Sequence, residues 1–227
     1  MHFKFTLIVW FAALTSAFAG GSFTSLEEAL KKPTEVKSLN LSGKGLTAIP
    51  ESIGKLVNLE RLNVSSNNLT VLPKVLFSLT KLKYLNVTSN KLKAITASIS
   101  NLKNLEELEA GFNQIVVLPK EIGALAKLNR FVATKNSLKA LPDEMSRLPL
   151  LEIIDLSYNP ILSIPVAITG MKSIRTLDVS YCKLLTAYPA DIKNCKSLRL
   201  LNLKNTKITS KQVDELLWLI PDCQLML

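Results

Sequence analysis

Histidine is all but missing from this chain. Of 227 residues only His2 is one. Residues 3–227 therefore cannot build a Ser-His-Asp triad, a Cys-His dyad or a histidine metal site. Cysteine is scarce and odd in number: Cys182, Cys195 and Cys223. Three cysteines do not make a disulfide framework, no C-x-x-C occurs, and all three are expected to be structural, unpaired thiols. Neither G-x-x-x-x-G-K nor G-x-G-x-x-G is present, so phosphate-cradling loops are not expected. No cofactor is expected, and no enzyme. Acidic residues are outnumbered, 18 against 28 Lys and Arg, for a formal charge of +10. That excess bears on solubility and partners, not on fold. What the chain does have is apolar content, 48% of residues, which excludes a disordered chain and suffices for one domain with a real core.

The first 19 residues read as a separate object. Lys4 gives a short basic n-region. Residues 6–14 (TLIVWFAAL) are apolar and too short to span a bilayer, and Ala17, Phe18 and Ala19 give a small-x-small cleavage site. A signal peptide cleaved near Ala19 is expected; an N-terminal membrane anchor is the alternative. No cysteine follows the apolar run, so a lipoprotein anchor is not supported. Cleavage would remove His2 and Lys4, leaving +9. The location expected is secreted or cell-envelope, such as periplasmic.

From residue 36 the sequence repeats. The unit is clearest at 59–81, LERLNVSSNNLTVLPKVLFSLTK. Apolar residues fill its positions 1, 4, 6, 11, 14, 18 and 21; Asn67 is position 9 and Pro73 position 15. Units begin at Val36, Leu59, Leu82, Leu105, Leu128, Leu151 and Ile174, in steps of 23, and at Leu198 after a step of 24. The extra residue lies within 184–189. Each unit is expected to open with a strand over positions 3 to 7, leucines inward at period two. Position 9 is Asn67, Asn90, Asn113, Asn136 and Asn159 in five units. A buried Asn there can bond its own loop and the neighbouring one, a structural ladder. Lys44, Cys182 and Thr206 replace it towards the ends. Pro50, Pro73, Pro119, Pro142, Pro165 and Pro189, with Thr96 once, turn the chain into a short helical or 3₁₀ stretch on the outer side. Residues 20–35 read as an N-terminal cap, with Ser25 opening a capping box before a two-turn helix that Pro33 ends. Residues 210–227 read as a C-terminal cap: Ser210 as N-cap, a helix over 211–220 with Val213, Leu216, Leu217 and Ile220 on one face, then an edge strand. The alternative for this tail is an amphipathic partner-binding segment anchored by Trp218.

The pattern L-x-x-L-x-L-x-x-N-x-L-x-x-L-P-x-x-I-x-x-L resembles the leucine-rich-repeat family, from Val36 to about Pro221. The stretch SLEEALKKPTEVKSLNLSGKGLTAIP is also similar to the start of exported bacterial leucine-rich-repeat proteins, such as those of spirochaetes. The resemblance implies an α/β solenoid, a horseshoe with a parallel concave sheet and short helical convex segments over 36–209.

Scaffold positions aside, the residues that vary are the candidates for function. Positions 2, 3, 5, 7 and 8 are expected to face the concave side. In units one to three these are mostly small and polar, Arg61 and Tyr84 excepted. From unit four onward Phe112, Val132, Ile153, Tyr158, Tyr181 and Leu200 gather, framed by Arg130, Lys135, Asp155 and Asp178. Tyr and Arg are anchoring residue types at protein interfaces, and apolar groups rimmed by polar ones mark contact sites. A protein ligand, such as a host or cell-surface protein, is the partner expected. Asp155 and Asp178 take the same strand position in adjacent units, about 5 Å apart. They read as a charge ladder balanced by Arg130 and Arg175, as a partner contact, or as a carboxylate pair for chemistry. Counted across the five positions, eight basic residues meet seven acidic ones, so the face is near neutral. The basic excess falls on edges and convex turns, such as Lys91, Lys139, Lys172 and Lys196. That opens an alternative, a structural or adhesive component holding acidic envelope or matrix polymers. No nucleic-acid partner is expected, because no reader motif occurs. Asn40, Asn63, Asn68 and Asn86 lie in N-x-[ST] sequons.

Overall fold

The computed structural model describes residues 21–227; the leader expected over 1–19 lies outside the described residues. Ten parallel strands form one sheet in chain order. They are β1 (Ser22–Phe23), β2 (Ser38–Asn40), β3 (Arg61–Asn63), β4 (Tyr84–Asn86), β5 (Glu107–Glu109), β6 (Arg130–Val132), β7 (Ile153–Asp155), β8 (Thr176–Asp178), β9 (Leu200–Asn202) and β10 (Gln224–Met226). Register is constant: position 3 pairs with position 3 and position 5 with position 5 across every unit. An α/β leucine-rich-repeat solenoid is the architecture.

Seven 3₁₀ segments run on the other side, from Glu51–Lys55 to Ala190–Asn194. A proline precedes six of them at φ between −60° and −71°; Thr96 precedes the other at −83°. Proline's ring holds φ near −65°, so each turn is set before the segment begins. Neighbouring segments pack closely where one side is glycine. A Cβ on Gly123 would fall against the backbone carbonyl of Glu144.

Between sheet and 3₁₀ layer lies one apolar core. In the unit at 59–81 it takes Leu59, Leu62, Val64, Leu69, Leu72, Leu76 and Leu79, all buried. Burying one such side chain is worth about 1.5–3 kcal/mol, so the repeat itself supplies the main stabilising term. Among the described residues no buried side-chain nitrogen or oxygen lacks a partner.

The repeat strands β2 to β9 are shorter than the expected five residues: three each, positions 3 to 5. In six of the eight units the side chain at position 5 closes the turn that follows, while β5 and β6 end at the same position without it. Asn63 Oδ1 accepts the Ser65 N–H at 2.9 Å, and Asn86 Oδ1 that of Thr88 at 2.8 Å, closing a turn in place of a further strand residue. The asparagines at position 9 then fasten turn to turn. Asn67 Oδ1 accepts the Lys44 and Leu46 amides, and its Nδ2 donates back to Leu41 O and into its own loop at Val64 O. Asn90, Asn113, Asn136 and Asn159 repeat the arrangement. Cys182 stands in for Asn: its thiol donates to Leu156 O at 3.4 Å, the partner an Asn amide would reach. Burial pushes that thiol up to about 11, opposed by the Asn159 and Ile161 amides bonded to it. It stays protonated and can donate. Thr206 bonds only its own loop, to Leu203 O, so the ladder stops there.

The extra residue of the seventh unit lies between β8 and the next 3₁₀ segment. It is absorbed where Lys183 N donates to Tyr181 O and Leu185 N to Cys182 O, both 2.9 Å. The N-terminal cap is the helix α1 (Leu26–Lys31), with Ser25 accepting the Glu28 amide. The lead-in before it also forms β1, because Gly21 O accepts both the Lys37 and Ser38 amides. At the other end α2 (Ser210–Leu219) is capped by Thr209, not Ser210, through a reciprocal box with Gln212. Leu216 and Ile220 are buried, whereas Leu217 faces solvent. No helix among the described residues is long and apolar enough to cross a membrane.

Candidate functional site

Position 8 lies past the strand, in the turn, and every unit puts it in the left-handed region. Ser66, Ser89, Phe112, Lys135, Tyr158, Tyr181 and Asn205 all have φ between 52° and 57°, and Gly43 has 66°. The turn requires this. The position 8 amide donates sideways to the position 7 carbonyl of the next unit, for example Tyr158 N to Ser180 O at 2.9 Å. Glycine and asparagine accept left-handed backbone readily; for a bulky residue it is an outlier. Phe, Lys and two Tyr in succession are therefore residues the turn itself disfavours, by about 1 kcal/mol or more each.

Their side chains form a row on the rim of the sheet face. Phe112 and Tyr158 are each 49% exposed and Tyr181 37%. Tyr158 and Tyr181 stack with ring centroids 4.2 Å apart and planes 6° from parallel. Lys135 Nζ lies 5.1 Å from the Phe112 ring centroid, a cation–π contact. Desolvation, then the Tyr181 hydroxyl and the Asp178 charge, raise the Tyr158 phenol, so it is neutral at physiological pH. Sequence reasoning placed these residues on the face but not in this backbone conformation. The signal was Gly43 and Asn205 at the same position in the end units.

Other candidates divide. Val132 and Ile153 are half-buried on adjacent strands of the sheet face. Leu200 is not brought to them: Thr176 stands between it and Ile153 in the position 3 row. Asp155 and Asp178 sit opposite each other in register. Each caps its own turn, Asp155 Oδ1 accepting the Ser157 amide at 2.9 Å and Asp178 Oδ1 that of Ser180 at 2.8 Å. The expected balance by Arg130 and Arg175 is not formed. Arg130 Nε lies 3.9 Å from Glu109, and Arg175 Nε 3.6 Å from Glu152. The reason is reach: each arginine meets a glutamate on the preceding unit, whose longer side chain extends to it.

A second cluster was missed. Arg61 lies over the Tyr84 ring at 4.2 Å. The Tyr84 hydroxyl donates to Glu109 at 3.2 Å, and Asn86 donates to both Glu109 and Tyr84. Burial and the Glu109 charge push the Tyr84 phenol up to about 12. These groups satisfy one another across units two to five, and they claim Arg130. The asparagine of one sequon, Asn86, is thereby committed to two hydrogen bonds.

Stacked strand–turn–3₁₀ units with an asparagine ladder define a class: solenoid repeat proteins with a parallel sheet on one side. The chain belongs to the leucine-rich-repeat family. A model of a leucine-rich repeat region matches residues 24–135 and one of the leucine-rich repeat residues 126–184. Among solved structures it is similar to a leucine-rich-repeat protein of Leptospira interrogans, with a TM-score of 0.72 and 30% identity over 90% of this chain and 57% of that one. It is similar to the plant peptide hormone receptor RGFR1 in complex with RGF2, TM-score 0.66 and 26% identity over 90% of this chain and 36% of the receptor. Internalin C2 of Listeria monocytogenes gives TM-score 0.70 at 21% identity, over 85% of this chain and 81% of that one, a likeness of fold. The chain thus spans little more than half of the Leptospira protein and about a third of the receptor. No curated protein matches it. The fold is one that commonly mediates protein–protein recognition.

Proposed function

We propose that this chain is an exported, non-enzymatic recognition protein that binds another protein through the sheet face of units four to eight. Phe112, Tyr158 and Tyr181 are its anchors; Val132 and Ile153 supply apolar floor, and Lys135, Arg130, Asp155 and Asp178 the polar frame, with Leu200 at its far edge. One observation carries this reading. Large aromatic side chains occupy left-handed turn positions that favour Gly or Asn, and they remain exposed. Strain kept at a surface for only partial burial in return points to use rather than to folding. The absence of histidine from residues 21–227 and the open setting of the Asp155–Asp178 pair favour binding over catalysis. Export rests on residues 1–19 alone. The test is capture of surface or host proteins at physiological salt by residues 20–227 and by the Tyr158→Asn/Tyr181→Asn variant. Partner binding should be lost in the variant; binding that survives overturns the reading.

A second reading has its own observation. At the edge where strands begin, Lys172, Arg175 and Arg199 line a cleft of about 220 Å³ with Ser173, Ser197 and Glu152. It is suited to acidic envelope or matrix polymers. Such binding would weaken steeply between 0.15 and about 0.5 M salt, while binding through the aromatic row would persist.

A further inference from the structure

In six of the eight units the strand position 5 side chain accepts the amide that closes the turn, and an asparagine suffices for this. Asn40, Asn63, Asn86 and Asn202 accept the position 7 amide at 3.0, 2.9, 2.8 and 3.2 Å. Asp155 and Asp178 accept the same amide at 2.9 and 2.8 Å. The turn needs only an acceptor. Asp178 Oδ2 also accepts Asn202 Nδ2 at 2.8 Å and Asp155 Oδ1 the Ser157 hydroxyl at 2.7 Å, but these neutral donors leave both charges unbalanced. Moreover the two aspartates face each other in register, where like charges repel, and neither makes an ion pair among the described residues. The stacked tyrosines lie in these same two units.

The charge of the surrounding face agrees. Units four, six and seven contribute Glu106, Glu107, Glu109, Glu152, Asp155 and Asp178 to it. Against these six stand Arg130, Lys135 and Arg175, a formal excess of three negative charges. The rest of the same face is basic, through Lys37, Arg61, Lys83, Arg199 and Lys204 against Glu60, and the chain carries +10 in all. An acidic, aromatic surface is set within a basic molecule.

We infer that the sheet face of units four to seven docks a cationic, arginine-bearing segment of a protein partner. This rests on the recognition function proposed above and names the chemistry of what is recognised. A guanidinium can lie flat on an exposed tyrosine ring and still direct its N–H groups to a carboxylate, which an ammonium does less well. Its charge between Asp155 and Asp178 would offset the repulsion the fold leaves in place. Apolar side chains flanking it would rest on Val132 and Ile153. The remainder of the molecule repels cations, so a basic segment is directed to this one region.

The test uses purified protein of residues 20–227 and three labelled 15-residue peptides of one leucine- and tyrosine-containing pattern, with arginine, lysine or glutamate at the variable positions. Fluorescence anisotropy at 0.15 M salt should rank arginine above lysine, with the glutamate peptide about tenfold weaker than arginine or worse. The D155N/D178N variant keeps both turn acceptors and gives up one hydrogen bond, from Asn202 to Asp178, so its melting temperature should move by no more than about 4 °C while it binds the arginine peptide about tenfold more weakly. Equal binding of the glutamate and arginine peptides overturns the inference. So does a D155N/D178N variant that binds like the parent. Should a captured partner depend on Tyr158 and Tyr181 but not on Asp155 and Asp178, the recognition face stands and only the cationic assignment falls. Arginine-peptide binding that survives both D155N/D178N and Tyr158→Asn/Tyr181→Asn removes the assignment.

Discussion

Units one to three and units four to seven are the same scaffold with different faces. Both have three-residue strands in one register and asparagine amides tying turn to turn. At the left-handed position the first group has Gly43, Ser66 and Ser89; the second has Phe112, Lys135, Tyr158 and Tyr181. At position 5 the first has Asn40, Asn63 and Asn86; the second has Glu109, Val132, Asp155 and Asp178. Since the backbone is held alike in both, these differences answer no demand of the fold. The comparison separates what builds the solenoid from what the solenoid displays.

The largest effect should fall on the shared scaffold, and equally in both groups. Asn90→Ala strips the buried Leu69 amide of its acceptor and several carbonyls of a donor; Asn136→Ala does the same to Ile115 and its neighbours. Each should cost about 2–4 kcal/mol in urea unfolding. Markedly unequal losses would break the comparison. Gly123→Ala should cost about 1–3 kcal/mol, because the added methyl meets the Glu144 backbone, which has no easy way to move.

Display positions should respond differently. Tyr158→Asn/Tyr181→Asn exchanges a stack worth about 0.5–1.5 kcal/mol for relief of two left-handed strains of about 1 kcal/mol each. Stability should stay level or rise. Ser66→Asn in the bare group should be near neutral. D155N/D178N relieves the repulsion but gives up the Asn202-to-Asp178 hydrogen bond, so unfolding should change by less than about 1 kcal/mol, the repulsive part shrinking as salt screens it. The smallest effect is chemical. Burial raises Cys182, Cys195 and Cys223 from an ordinary value near 9 to about 11, with the Cys223 charge adding to Cys195. The folded state disfavours their thiolates, so the stability this represents is complete below pH 9 and lost as pH rises through about 11. At pH 8 a thiol reagent should label none of the three until the chain unfolds.

The sequence carried the repeat, its core positions and the asparagine ladder, because each is set by residue type at fixed spacing. Other features depend on which of several neighbours a side chain chooses. Arg130 could reach Asp155 or Glu109, and only geometry shows it takes Glu109. Cys182 read as an interruption of the ladder, yet its thiol donates where an amide would. Ser210 and Thr209 both suit an N-cap; Gln212, three residues on from Thr209, decides between them. β1 was hidden because two residues of strand have no periodicity to show. The left-handed row was legible in Gly43 and Asn205, but the aromatics between them masked it.

If the aromatic row serves binding and not folding, its removal leaves the solenoid as stable as before. Urea unfolding of Tyr158→Asn/Tyr181→Asn beside the parent tests it without knowledge of the partner. The free energy of the variant should equal the parent's or lie up to about 1 kcal/mol higher. A loss of more than about 1 kcal/mol would show that the stacked tyrosines hold the solenoid together, and would contradict it.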